Sequence, residues 1–145
     1  MKEKTIVLVT GGFDPLHSGH IHYFTDAKKL GDILVVGVNS DNWLRRKKGK
    51  AFMPNWERSL IIQNLKMVDM VITFNDDDDT ANNAIWKVKQ IFPQKKKIIF
   101  ANGGDRNAHN IPEVGWPDVE FVFGVGGIDK INSSSKILEN WTQNA

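Results

Sequence analysis

His17 and His20 stand three residues apart across a Ser-Gly pair, at the end of the stretch GGFDPLHSGH that begins at Gly11. The short apolar run TIVLVT from Thr5 precedes the stretch and a helical pattern follows it, so both imidazoles fall at a strand-to-helix turn. Glycines there let a ligand approach the backbone closely, and the helix start supplies unpaired N–H groups and the positive end of the helix dipole. Anions suit such a spot. Residues at i and i+3 project from one face of a turn, so the two rings can address one group over the helix start, and phosphate is the natural candidate. Three roles are open to the pair. Both could be ordinary core or surface histidines, which the glycine turn and the Asp14-Pro15 break argue against. They could share a metal ion, but no carboxylate follows at helical spacing on that face, and His22 points elsewhere. Or they could serve phosphoryl or nucleotidyl transfer as donors to charge developing on phosphorus oxygens.

Other polar clusters bear on the same chemistry. RRKKGK from Arg45 carries five cations in six residues, and such a run is commonly a solvated loop. NDDDDT holds four consecutive aspartates from Asp76, just ahead of a helical pattern opened by Thr80, so it is expected to complement the positive end of that helix. Ser133, Ser134 and Ser135 stand where a last helix should begin. Their hydroxyls and N–H groups can hold phosphate oxygens, whereas a plain N-cap would use only one of the three.

A frame for these loops is legible in the hydropathy. TIVLVT is a buried parallel strand ending at Gly11-Gly12, followed by a helix from about Ser18 to Leu30 that Gly31-Asp32 stops. ILVVGVNS from Ile33 is a second strand. The basic loop then leads to Pro54 and a helix with Leu60, Ile61, Leu65 and Val68 at helical spacing. MVITF from Met70 makes a third strand, and a helix from Thr80 to Phe92 carries Ala84, Ile85, Val88 and Phe92 on one face. KIIFA from Lys97 and EFVFGV from Glu120 complete five strands, with a last helix from Ser133. This alternation predicts an α/β class: a single Rossmann-like domain over residues 1–145, with a mainly parallel five-stranded sheet and helices on both faces. Ligands of such sheets bind beyond the carboxyl ends of the strands, where the glycine-histidine, basic, NGGDR and GGIDKINSSS loops all fall.

Composition narrows the classes. With 145 residues and 41% hydrophobic content the chain can bury one core. It has no cysteine, which excludes disulfides and thiolate metal sites. Its longest apolar stretches are too short to span a bilayer and its start lacks a secretory core, so a soluble cytoplasmic protein with no membrane partner is expected. A net charge of +2 is too small for bulk attraction to nucleic acid, and no such partner is expected. RRKKGK and five tryptophans still leave a nucleic-acid-binding module as the main non-enzyme alternative, one whose binding would fall steeply with salt.

GGFDPLHSGH resembles the signature of the nucleotidyltransferase superfamily that includes glycerol-3-phosphate cytidylyltransferase, in which a strand leads into a His-x-Gly-His helix start. The resemblance continues through AKKLGDILVVGVNSD, WERSLII and SSSKI, while NSDNWLRRKKG and NGGDR are also similar to the adenylyltransferase that activates heptose 1-phosphate. It implies attack by a phosphomonoester on the α-phosphorus of a nucleoside triphosphate, with CTP expected ahead of ATP. His17 and His20 are then catalytic, bonding the triphosphate and its transition state. Lys47 matches a catalytic lysine that binds the accepting phosphate, and Lys48 matches better when the heptose enzymes are the guide. Gly12, Phe13, Arg58, Gly104, Asp105, Ser133, Ser134 and Ser135 match nucleotide-binding positions, and Asp14 braces its turn. Magnesium is expected, bound mainly through the triphosphate. A homodimer is expected too, with Trp116, Trp141 and the PEVGWPD loop as candidate contact surface. A catalytically silent nucleotide-binding domain is the remaining alternative. Three departures stand out: Gly12 replaces a threonine of many members, Lys66 replaces an arginine, and in GGIDKINSSS Lys130 is the only cation ahead of the serines, where the cytidylyltransferases place an arginine.

Overall fold

The computed structural model describes residues 3–94, 96–104, 111–127 and 133–143. In β1 (Lys4–Gly11) alternate side chains go to opposite faces: Val7 and Val9 to one core, Ile6 and Leu8 to the other, all wholly buried. α1 (Ser18–Lys28) leads to β2 (Ile33–Val38), and α2 (Asp41–Lys48) and α3 (Asn55–Gln63) lead to β3 (Met70–Thr73). α4 (Asn82–Ile91), β4 (Lys96–Gly103), a 3₁₀ turn at Pro112–Gly115, β5 (Val119–Val125) and α5 (Ser134–Gln143) follow. The strands stand in the order β3-β2-β1-β4-β5 and every pairing is parallel. Phe24 and Ala27 of α1 and Ile62 of α3 close one face, while Ala84, Ile85 and Val88 of α4 close the other. This is the expected α/β, Rossmann-like sheet. Winding outward from β1 to β3 and then back across to β4 puts the reversal of strand order between β1 and β4, and a crevice opens at such a point.

The basic run is not a loop. It forms α2, because Ser40 accepts the Trp43 N–H at 3.0 Å as N-cap, Asp41 sits in the first turn, and Arg45 to Lys48 sit at the negative end of the dipole. Gly49 ends it in the left-handed conformation at φ 88°.

The acidic run also does something other than complement a helix. Asp76 is buried and accepts from the Asn39 amide at 2.9 Å, the Ser40 N–H at 2.8 Å and the Ser40 hydroxyl at 2.6 Å. Burial by itself would raise its carboxyl, but the Ser40 and Asn39 bonds, with Arg46 nearby, outweigh it and hold the group below the usual carboxylate range. Arg46 pairs with Asp79 at 3.0 Å and donates to the Asp76 carbonyl, so the two charge clusters clip the end of β3 to α2. Asp76→Ala is expected to lower the unfolding free energy by about 2 kcal/mol in urea titration, with exposed Asp77→Ala unchanged as the control.

Two apolar expectations are corrected. Leu60 and Ile61 are exposed, because the inward face of α3 is the one that buries Arg58 and Ile62, four residues apart. Trp116 is not free surface: it packs against the α4 core and its Nε1–H donates to Asn82 at 2.8 Å, whereas Trp141 is exposed.

Candidate active site

A cleft of about 400 Å³ opens beyond the carboxyl ends of β1 and β4, walled by the first loop, the start of α1, one side of α2, the end of β5 and the start of α5. His17 is the N-cap of α1, and its Nδ1 accepts the Gly19 N–H at 3.0 Å. His20 reaches back, its Nδ1 accepting the His17 N–H at 3.2 Å. This is a capping box built from two imidazoles. Because each Nδ1 is an acceptor, each proton resides on Nε2. The rings stack with centroids 3.8 Å apart, and both line the cleft. Burial first, then His17 and then Lys48 push the His20 pKa from 6.5 down to about 3, so this ring is a neutral donor at physiological pH.

That depressed pKa has a sign in stability. Between about 3 and 6.5 the unfolded chain binds a proton at His20 that the folded chain does not. The contribution is therefore full above pH 6.5 and lost as pH falls toward 3. Melting curves across that window should slope less in His20→Asn than in the parent.

Phe13 lines the cleft as its floor. It is buried at φ 53°, and its ring meets His20 edge-on at 5.0 Å and Phe24 at 5.1 Å. The same ring folds over Gly11, where a Cβ would come within 2.8 Å of it. Gly12 is explained by its neighbours: a Cβ there would lie 2.9 Å from Leu44 Cδ2 and 3.2 Å from Trp43 Cζ3. The space that a threonine would need is filled by α2. Gly12→Thr should therefore displace α2 and cost about 1–3 kcal/mol in a denaturation measurement.

The remaining residues divide. Ser133 caps α5, accepting the Lys136 N–H at 3.1 Å. The Ser134 hydroxyl donates to the Pro15 carbonyl at 2.7 Å and ties α5 to the first loop, and Ser135 lies exposed on the cleft wall. Gly104 lines the cleft at φ 62°. Asp105 and Lys130 lie outside the described residues. Lys48, one turn beyond Leu44, lines the cleft, whereas Lys47 does not: one residue earlier on the helix, it lies over the Trp43 ring at 5.7 Å from the centroid.

Arg58 does not line the cleft either. It is buried, donating to the Gly12 and Asn39 carbonyls at 2.8 Å each, the Met53 carbonyl at 2.9 Å and the Asp41 carboxylate at 2.6 Å. Asp14 braces a second segment, accepting the Phe52 and Met53 N–H groups at 2.6 and 2.7 Å.

Thr10, Tyr23, Trp43, Leu44 and Asn102 join the wall without having been singled out in the sequence. Trp43 and Leu44 become visible once the basic run is taken as a helix, since they precede Lys47 and Lys48 by one turn. Tyr23 sits three residues after His20, where Cβ atoms on Gly103 and Gly126 would come within 3.2 and 2.9 Å of it. Its hydroxyl donates to the Ala101 carbonyl. Among the described residues no carboxylate lines the cleft, and no cluster of three His, Asp or Glu could hold a metal ion. Nor is any helix among them long and apolar enough to cross a membrane.

A glycine turn feeds paired imidazoles at a helix start, at the strand-order reversal of a parallel sheet, and the Cytidylyltransferase-like family model matches residues 8–109. The chain belongs to this family. Among curated relatives, the bifunctional protein HldE of Blochmanniella floridana is 44% identical over 110 residues, covering 74% of this chain and 21% of the relative. The HldE of Helicobacter hepaticus is 37% identical over 142 residues, covering 97% of this chain and 27% of the relative. The chain thus spans about a quarter of the length of those relatives. A solved lipopolysaccharide core biosynthesis protein from Thermoplasma volcanium superposes with a TM-score of 0.64 at 30% identity, covering 89% of this chain and 99% of that one.

Proposed function

We propose that the cleft transfers a nucleotidyl group from a nucleoside triphosphate, CTP on the main reading, to a small phosphomonoester such as glycerol 3-phosphate or a similar polyol or sugar phosphate. An acceptor oxygen attacks the α-phosphorus, a new P–O bond forms, and the bond to the β-phosphate bridging oxygen breaks to release pyrophosphate. A phosphomonoester with a second pKa near ~6 is already largely dianionic at pH 7, so no base is needed. Rate must come from alignment and from donors aimed at the charge that develops on the transferring group. The observation that carries this reading is the imidazole capping box, which fixes both Nε2–H donors at the α1 start on the cleft wall.

Lys48 is assigned to the accepting phosphate, and the Ser133–Ser135 turn with the α5 start to the β- and γ-phosphates. Gly104 and the end of β4, which line the same cleft, are assigned to the nucleoside. With no carboxylate on the described wall, magnesium would arrive on the triphosphate. Lys48→Ala should raise the acceptor KM about tenfold, with Lys47→Ala close to the parent in the same assay.

The HldE relatives favour a second reading, adenylyl transfer from ATP to a sugar 1-phosphate. A homodimer fits either reading, supported by the exposed Trp56 and Leu60 one turn apart on α3, and light scattering would test it. A cytoplasmic setting, where nucleoside triphosphates abound, fits as well. The deciding experiment is a pyrophosphate-release screen of four nucleoside triphosphates against glycerol 3-phosphate and a panel of pyranosyl 1-phosphates, beside His17→Ala. Release with CTP or ATP that His17→Ala abolishes is expected; no release with any pair, or release indifferent to that substitution, contradicts the reading.

A further inference from the structure

Resting on the transfer reading above, we propose that Trp43 is a specificity-determining residue that selects a phosphomonoester whose carbon skeleton is a ring over one with an open chain. The indole is fixed from below. Its backbone N–H is capped by the Ser40 hydroxyl, which itself donates to the buried Asp76, and the adjacent Leu44 is wholly buried. Its edge lies against the first loop, since Cζ3 would be 3.2 Å from a Cβ on Gly12. Lys47 lies over the ring from outside the set of cleft-lining residues, while Lys48 lines the cleft. The wall beside the histidines therefore offers one aromatic surface and one cation together.

Phosphoryl chemistry makes no use of an indole. Neither the triphosphate nor the accepting phosphate presents an apolar face, and the nucleoside is assigned to the opposite wall at Gly104. The group that meets Trp43 is then the carbon skeleton attached to the acceptor phosphate. A pyranose presents a rigid face of C–H groups to the electron-rich face of an aromatic ring at little entropic cost. An open-chain polyol must freeze several rotamers to do the same. The placement of Trp43 next to Lys48 thus suits a ring carrying a phosphate.

The test compares the parent, Trp43→Ala and Trp43→Phe with a panel of pyranosyl 1-phosphates and with glycerol 3-phosphate, at saturating nucleotide. Trp43→Ala should raise KM for the preferred pyranosyl phosphate about tenfold, leave kcat and the nucleotide KM near parent values, and spare glycerol 3-phosphate. Trp43→Phe should restore most of the loss. An equal loss with both acceptors, or one confined to the nucleotide KM, overturns the assignment. Absence of turnover with every acceptor overturns the transfer reading instead. Calorimetric titration of the pyranosyl 1-phosphates into parent and Trp43→Ala then decides the role of the indole alone: weakened binding in the variant upholds it, and equal or undetectable binding in both refutes it.

Discussion

Turnover of His20→Asn is expected to fall about 10²–10³-fold, the usual consequence of removing one preorganised donor to a developing negative charge. Asparagine is the informative replacement because its side-chain oxygen can still accept the His17 N–H that Nδ1 now accepts at 3.2 Å, while nothing replaces the Nε2–H. The α1 start should therefore survive, with catalysis lost. His20→Gln, whose longer amide can reach toward the Nε2 position, should recover part of the rate. His17→Asn should behave like His20→Asn, and the double variant should lose less than the product of the two, because stacked donors addressing one group act as a unit. Steady-state kinetics with circular dichroism as a folding control measures all four. Full activity in His20→Asn would remove the imidazoles from the chemistry. The pH profile adds a second check: with His20 neutral above about pH 3, kcat/KM should show no acid limb from this ring. The limb should lie near pH ~6, where the acceptor phosphate takes a proton.

Arg58→Met is expected to cost about 3–5 kcal/mol of stability, a large part of what a domain of this size possesses. The methionine fills much of the same space and donates nothing, which leaves the Gly12, Asn39 and Met53 carbonyls and the Asp41 carboxylate without their shared partner. Arg58→Lys should rescue little, since a single ammonium cannot span four acceptors that a planar fork reaches. The urea midpoint should fall with the m-value unchanged. A variant as stable as the parent but with a raised nucleotide KM would instead return Arg58 to the nucleotide, the role that the resemblance of WERSLII implies.

Arg58 shows why some of the site was legible in sequence and some was not. The central strands β1, β2 and β4 announced themselves because each is buried on both faces, and the histidines because a glycine turn before a helix has few other uses. Arg58 carried a recognisable position but not its direction: whether an arginine on α3 turns outward to a ligand or inward to carbonyls depends on loops supplied by Gly12 and Met53, far away in the chain. Lys47 matches the cytidylyltransferase lysine and Lys48 the lysine of the heptose enzymes, and the sequence alone does not show which of the two faces the site. In a loop the two are equivalent; on a helix, the burial of Leu44 aims Lys48 at the cleft and carries its neighbour away. The cues for that helix, Ser40 ahead and Gly49 behind, were present but masked by the density of charge. Asp76 was hidden among three aspartates that resemble it, and only its burial beside Ser40 tells it apart. Tyr23 and Trp43 bear no motif, and they reach the site through packing against glycines.

The central claim is that a triphosphate lies over the α1 start, in contact with both Nε2 atoms. Long-range ¹H–¹⁵N correlation spectra of the histidine-labelled protein, recorded while CTP or ATP is added, test it most directly. The account predicts that the Nε2–H signals of His17 and His20 shift downfield together and saturate, while that of His22, exposed beside Asp26, stays in place. Saturable nucleotide binding that leaves both signals unmoved would contradict it.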